Sequence, residues 1–160
     1  MNVRIANLSD AETIAKLARE IWPRTYADII STEQIAFMLE KSYTVTSLEK
    51  QLLEGHTFFI LESDAVALGF ASVTQEIEDT YKLQKFYIHQ NLHKKGAGTL
   101  LLSFVEDYCR TKGAERLLLN VNRNNKAKLF YDKMGYTILH TVDIPYHDFV
   151  LNDYIMGKNL

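Results

Sequence analysis

Between a strand-like run ending at Ile88-His89 and an amphipathic stretch that starts at Gly98 lies His93-Lys94-Lys95-Gly96-Ala97-Gly98-Thr99. A strand, a glycine loop and a helix in succession commit this part of the chain to an α/β unit. Two glycines let the backbone turn tightly and approach a ligand closely. The free N–H groups of the following helix then point at that ligand, with the positive end of the helix dipole behind them. Lys94 and Lys95 add full positive charges, so the loop suits a diphosphate. It is not a Walker loop, because no Gly-Lys-Ser/Thr closes it, and the third glycine position of a dinucleotide fingerprint is Leu101. By itself the loop is equally a glycine-relieved turn with two surface lysines.

A second motif follows the next strand. In Asn124-Asn125-Lys126-Ala127-Lys128-Leu129-Phe130-Tyr131-Asp132-Lys133-Met134-Gly135-Tyr136, Ala127, Phe130 and Tyr131 share one helical face. Asn124 is the expected cap. A small residue, an aromatic ring and a phenol on one face either line a narrow channel or pack as plain core.

The rest of the chain supplies the frame. Val3–Ile5 alternates like a strand. Ser9-Asp10-Ala11-Glu12 reads as a capping box for a helix carrying Ile14, Leu17, Ala18 and Ile21, with Pro23 as its end. Ser31 with Gln34, and Thr46 with Glu49, read as two further helix starts. Strands are expected over Thr57–Ser63, Val66–Ile77 with Gly69 inside, Thr80–His89, Arg116–Asn122, Tyr136–Asp143 and within Phe149–Met156. Helices are expected over Gly98–Lys112, stopped by Gly113, and over Asn125–Met134, stopped by Gly135. Hairpins early and crossovers late predict a mixed sheet. No linker or repeat divides the chain, so residues 1–160 read as a single domain.

Composition narrows the function. The net charge is −2, but residues 85–133 hold ten Lys/Arg and four Asp/Glu while the remainder holds eight and sixteen. A locally basic zone suits a polyanionic small ligand, and the acidic remainder favours a cationic second ligand. The near-neutral total argues against a nucleic-acid partner. No apolar run reaches membrane-spanning length, and Met1-Asn2-Val3-Arg4-Ile5 lacks the apolar region of a secretory signal. The one cysteine, Cys109, fits a reducing compartment and reads as core. A cytoplasmic protein, monomer or homodimer, is expected.

Together the two motifs, about thirty residues apart with one strand between, resemble the GNAT superfamily of acetyl-CoA-dependent N-acetyltransferases. That family's loop has the form Gln/Arg-x-x-Gly-x-Gly/Ala, matched at Gly96 and Gly98 with His93 in the Gln/Arg place. Its later helix, Asn-x-x-Ala-x-x-Phe-Tyr-x-x-x-Gly-Phe/Tyr, is matched at every fixed position. The resemblance implies a GNAT fold: a central, mixed, mostly antiparallel sheet of about seven strands, splayed between strands four and five, with about four to five helices. It implies acetyl-CoA as co-substrate and no metal. The backbone of Lys95, Gly96, Ala97, Gly98 and Thr99 would hold the diphosphate, with His93 and Lys94 beside it. Phe86, Tyr87 and Ile88 would pair with the pantetheine arm, and the Ile88 N–H would polarise the thioester carbonyl. Asn124 would contact pantetheine, Ala127 and Phe130 would line its channel, and Tyr131 would protonate the leaving thiolate.

The expected acceptor is a primary amine. Trp22 and Tyr26, with the carboxylates around them, suit a small polycation, and Glu76 is a further acceptor-side candidate. The Trp22…Tyr26 loop, Asn120-Val121-Asn122-Arg123-x-Asn125-Lys126-Ala127 and Asn152-Asp153-Tyr154-Ile155-Met156 resemble the bacterial spermidine/spermine acetyltransferase group. An aminoglycoside, a peptide α-amine or an arylalkylamine are the alternative acceptors, and a non-catalytic acetyl-CoA sensor is the alternative role. The base that takes the amine's proton is unassigned, with Glu76 and Glu78 as candidates acting through water.

Overall fold

The computed structural model describes residues 1–93 and 95–160, so the expected Lys94 contact lies outside the described residues. In chain order the elements are β1 (Asn2–Ile5), α1 (Ala11–Tyr26), α2 (Thr32–Ser42), α3 (Val45–Leu53), β2 (Thr57–Ser63), β3 (Val66–Ile77) and β4 (Thr80–Ile88). They continue with α4 (Ala97–Thr111), β5 (Arg116–Asn122), α5 (Ala127–Lys133), β6 (Thr137–Tyr146) and β7 (Phe149–Asn159). The α/β architecture is the one expected: one seven-stranded sheet in the order β1-β2-β3-β4-β5-β7-β6. Every neighbouring pair is antiparallel except β4 with β5.

Phe58-Phe59-Ile60-Leu61 in β2 is an unbroken apolar run because both of its faces are covered. Phe58 and Ile60 pack with Phe70 against Ile14, Ala18 and Ile21 of α1. Phe59 and Leu61 look the other way, onto Leu101, Leu102 and Val105 of α4. Each such buried side chain stabilises the fold by about 1.5–3 kcal/mol. The two helical layers thereby clamp the centre of the sheet. On the α1 side the β5–β7 part is uncovered, and Arg116, Leu118, Asn120 and Ile155 border an open cleft there.

Several helix ends differ from the sequence expectation. The first capping box is made by Asn7 and Asp10, not by Ser9 and Glu12. Asn7 Oδ1 accepts from the Ser9 N–H at 3.0 Å, and Asp10 Oδ2 accepts from the Asn7 N–H at 2.8 Å. Asp10 is drawn into this place by Arg4 on β1, whose guanidinium donates to both carboxylate oxygens at 2.9 Å. Pro23 does not end α1, which continues to Tyr26. Arg19 and Pro23 both face solvent, so the Arg19 carbonyl that loses its helical donor reaches water. α3 is capped by Thr44, whose hydroxyl accepts from the Ser47 N–H at 3.1 Å, rather than by Thr46. α5 is opened by Asn125, which accepts from the Ala127 N–H at 2.9 Å, rather than by Asn124. The Ser31 cap is as expected, accepting from the Gln34 N–H at 3.1 Å.

Candidate active site

The sheet opens where the parallel pair of β4 and β5 ends. β4 and β5 pair over Thr80–Leu83 with Arg116–Leu119. There the β3–β4 register slips: Val73 opposes Leu83, Ser72 opposes Lys85, and Gln84 is the extra residue of a bulge. A bulge bends its strand and increases the local twist. Beyond it Lys85–Ile88 have no partner in β5, while Asn120–Asn122 continue to pair with β7. Strands four and five thus part into a wedge.

The backbone on the β4 side of that wedge is polar and has no strand partner there. His89 donates its N–H to the Leu68 carbonyl at 3.0 Å, so Leu68 and His89 form a hydrogen-bonded pair. In an antiparallel ladder such pairs alternate with non-bonded ones. Gly69 opposite Ile88 and Ala71 opposite Phe86 are therefore non-bonded, and the N–H and C=O of Ile88 and Phe86 turn away from β3 into the wedge. Tyr87 lies between them with its backbone engaged by Phe70, so only two of the three expected backbone positions face a ligand. Gly69 is the residue that permits this approach: a Cβ there would meet the Tyr87 carbonyl oxygen at 2.8 Å.

The glycine loop closes the mouth of the wedge. Gly96 has φ +79°, a conformation that residues with a Cβ rarely adopt, and it forms the N-terminal cap of α4. Among the described residues no side chain caps α4, and the N–H groups of a helix's first turn have no helical acceptor. The Lys95 N–H is engaged by the Leu92 carbonyl at 3.2 Å. The expected cradle therefore narrows to Gly96, Ala97, Gly98 and Thr99. His93 is exposed, and its Nε2 bonds the Ile88 carbonyl at 3.1 Å, tying the loop to the wedge-facing edge of β4.

Gly98 has a different task from Gly96. A Cβ at Gly98 would sit 3.2 Å from the Phe130 ring. Its absence lets α5 close against the first turn of α4. Phe130 in turn stacks on Phe86, with ring centroids 5.7 Å apart and planes 17° apart. Tyr131 meets Phe86 at 6.0 Å and Phe130 at 5.5 Å. Tyr131 is buried, and burial raises its phenol above the ordinary value of 10.0. Among the described residues its hydroxyl has no hydrogen-bond partner, so it remains a protonated donor. Ala127 is half-buried against the same cluster, and Asn124 is exposed, its N–H held by Asn122 Oδ1 at 2.9 Å.

The other side of the wedge is aromatic and acidic. The last turn of α1 brings the Tyr26 hydroxyl to 3.0 Å from that of Tyr87. Burial pushes the Tyr26 phenol up to about 12. Glu20 and His89, 2.9 Å apart, fix the same end of α1 to the end of β4. Trp22 is buried at 4% exposure behind Tyr26, their rings 4.4 Å apart, so it supports the wall and does not line the surface. Glu76 is not brought to this group. It lies near the far end of β3, bonded to Gln84 at 3.3 Å, whereas Gly69 at the other end opposes Ile88.

Sequence reasoning did not single out Asp153. It sits in β7 opposite Asn122 and is 9% exposed, with Asn120 Nδ2 donating to it at 3.3 Å. Burial raises its carboxyl above the ordinary value. The available signal was a carboxylate in the midst of Val150-Leu151-Asn152-Asp153-Tyr154-Ile155-Met156, where the alternation calls for a covered side chain.

A loop whose Gly96, Ala97, Gly98 and Thr99 N–H groups find no acceptor among the described residues, beside a strand edge whose Phe86 and Ile88 N–H groups turn away from β3, fits a diphosphate on an extended arm. The model of the acetyltransferase (GNAT) family matches residues 12–136. A spermidine N(1)-acetyltransferase of Thermoplasma acidophilum is 29% identical over 148 residues, covering 88% of this chain and 91% of that protein. YhfO of Bacillus subtilis, described as an uncharacterized N-acetyltransferase, is 32% identical over 85% of this chain and 89% of its own. The crystal structure of PaiA N-acetyltransferase from Thermoplasma acidophilum, in complex with coenzyme A, superposes with a TM-score of 0.86 at 27% identity, covering all of both chains. The wedge, its glycine loop and these likenesses lead to one conclusion: the chain belongs to the GNAT acetyltransferase family, as an acetyl-CoA-dependent N-acetyltransferase.

Proposed function

We propose that the chain transfers the acetyl group of acetyl-CoA directly to a primary amine of a small cationic acceptor, a polyamine. The supporting observation is the edge of β4 at Phe86 and Ile88, which has no strand partner toward β5, beside the ring of Tyr131, whose hydroxyl has no hydrogen-bond partner among the described residues. Acetyl-CoA supplies an acetyl thioester whose sulfur is a good leaving group. Gly96, Ala97, Gly98 and Thr99 hold its diphosphate through backbone N–H groups. The Ile88 N–H donates to the thioester oxygen, where negative charge develops. Tyr131 gives its proton to the departing sulfur. A C–N bond forms, the C–S bond breaks, and the amine releases one proton as the sulfur gains one.

Cys109 has no part in this route. It is fully buried, and burial pushes its thiol up to about 12. A thiol so far above neutrality holds too little thiolate to serve as a covalent carrier, which favours direct transfer.

The polyamine reading rests on the aromatic and acidic acceptor side, on the acidic charge outside residues 85–133, and on the similarity to a protein named for spermidine. Turnover of spermidine and spermine, with amine-dependent protection against thermal unfolding, is the expected result. Neither turnover nor protection with either polyamine removes the polyamine reading.

A further inference from the structure

We propose that Asp153 is the carboxylate that receives the acceptor's ammonium group inside the wedge. This rests on the reading above, that the acceptor is a cationic amine, and adds the residue that recognises it.

The register sets its position. Leu119 is the last residue of β5 that pairs with β4, and it opposes Met156 on β7. Asp153 opposes Asn122, three residues beyond the parting point, so it stands on the β5–β7 arm of the wedge. Side chains alternate along a strand. Leu119, Val121 and Met156 face the α4 core. Asn120, Asn122, Asp153 and Ile155 therefore face the opposite way, toward the side that α1 approaches. Tyr26, at the end of α1, packs on that same side of the sheet.

Lys82 and Arg123 are the cations whose charge reaches the carboxylate, and neither stands within ion-pair distance of it. Its recorded partner is Asn120, at 3.3 Å and on one oxygen only. Among the described residues no Lys, Arg or His forms an ion pair with it. The neighbouring Arg123 is turned to Asp143 at 2.6 Å and to the Val142 carbonyl at 3.1 Å. Burying an unpaired carboxylate is costly, and a group of that kind at the acceptor side is compensated when a cation arrives. Asn120 also borders an open cleft of about 250 Å³ together with Glu76, Lys82, Arg116, Leu118 and Ile155, which gives the amide that holds Asp153 contact with solvent. A primary ammonium, with three N–H donors and one positive charge, matches a single carboxylate with one free oxygen. Neutral alcohols and amides of the same shape lack that charge.

The test uses the full chain and its Asp153→Asn variant, with coenzyme release measured against spermidine, spermine, putrescine, lysine and an arylalkylamine. For the amine turned over best, the variant's amine KM rises by about 10- to 100-fold, while its acetyl-CoA KM stays within about twofold of wild type. Stabilisation of the fold by the amine alone is lost, and stabilisation by coenzyme A is kept. Asp153→Glu recovers part of the amine affinity. An unchanged amine KM in Asp153→Asn overturns the proposal. So does an equal loss of coenzyme A binding, which marks Asp153 as scaffold. If wild type turns over none of the amines, the transfer reading fails; amine-dependent stabilisation that disappears in Asp153→Asn would still uphold the ammonium site.

Discussion

Replacing either glycine of the loop by alanine should damage the protein, but for unlike reasons. At Gly98 the added Cβ sits 3.2 Å from the Cε2 and Cζ atoms of Phe130 and 3.8 Å from Ile88 Cδ1. Carbon atoms pack best at about 3.5–4.0 Å, so the ring must retreat by a few tenths of an ångström. It cannot do so freely, because it is stacked on Phe86 and tilted against Tyr131. Overpacking of this kind costs about 1–3 kcal/mol. Alanine's better helix propensity returns about 1 kcal/mol. The net loss of about 0–2 kcal/mol lowers Tm by no more than about 8 °C in a chain of this size. The larger effect is on the site, since the moved ring is a wall of the wedge. The acetyl-CoA KM should rise at least about tenfold, because misplacement by a fraction of an ångström is expensive at a reacting centre. At Gly96 no atom of the described residues lies within 4 Å of the added Cβ. The cost there is the left-handed backbone, about 1–2 kcal/mol. Gly96→Ala should therefore lower Tm by about 2–8 °C and weaken coenzyme A binding, and Gly96→Asn, which tolerates φ > 0 better, should recover part of both. Differential scanning fluorimetry with and without coenzyme A, with initial rates, reads all of this. A Gly98→Ala protein with raised Tm and wild-type acetyl-CoA KM would refute the packing argument.

Two further outcomes follow from single groups. Tyr131→Phe should lower kcat at least about tenfold with little change in coenzyme A affinity; because burial raises the phenol, wild-type kcat should hold through pH 9, and a fall centred below pH 9 that vanishes in the variant contradicts the assignment. Asp10 is held below the usual carboxylate range by the Arg4 guanidinium, so its contribution is complete above about pH 4 and disappears as pH falls through its lower folded value. Asp10→Asn should lower Tm at pH 7 by about 2–8 °C, from about 1–2 kcal/mol of lost charge-assisted bonding, and the gap to wild type should close below about pH 4. An equal gap at pH 3 and pH 7 would contradict that.

The strands were the most legible part of the fold. The apolar runs of β2, β3 and β5, bounded by Asp64, Asp79 and the turns around them, were readable to the residue. Helix ends were less so, because several capping residues stand side by side and tertiary contacts choose among them. Arg4 selects Asp10 at the first helix, a choice invisible without knowing that β1 lies beside it. Pro23 misled because the cost of an interior proline is reduced when the orphaned carbonyl faces water. At the site, the two motifs located the loop and the Phe130–Tyr131 face. They did not reveal that Gly96 is needed for its backbone and Gly98 for its packing. The Gln84 bulge and Asp153 were hidden for one reason: each matters through strands brought together from distant parts of the chain.

The central claim is that this wedge passes an acetyl group straight to a cationic amine. The most direct measurement follows free coenzyme thiol and the mass of the amine together, in one reaction of the full chain with acetyl-CoA and spermidine. Thiol and singly acetylated amine should appear in equal amounts, with no acetylated protein accumulating when the amine is left out. Thiol release without an acetylated amine across the polyamines, or an acetyl-protein that forms first and then decays into product, would contradict it.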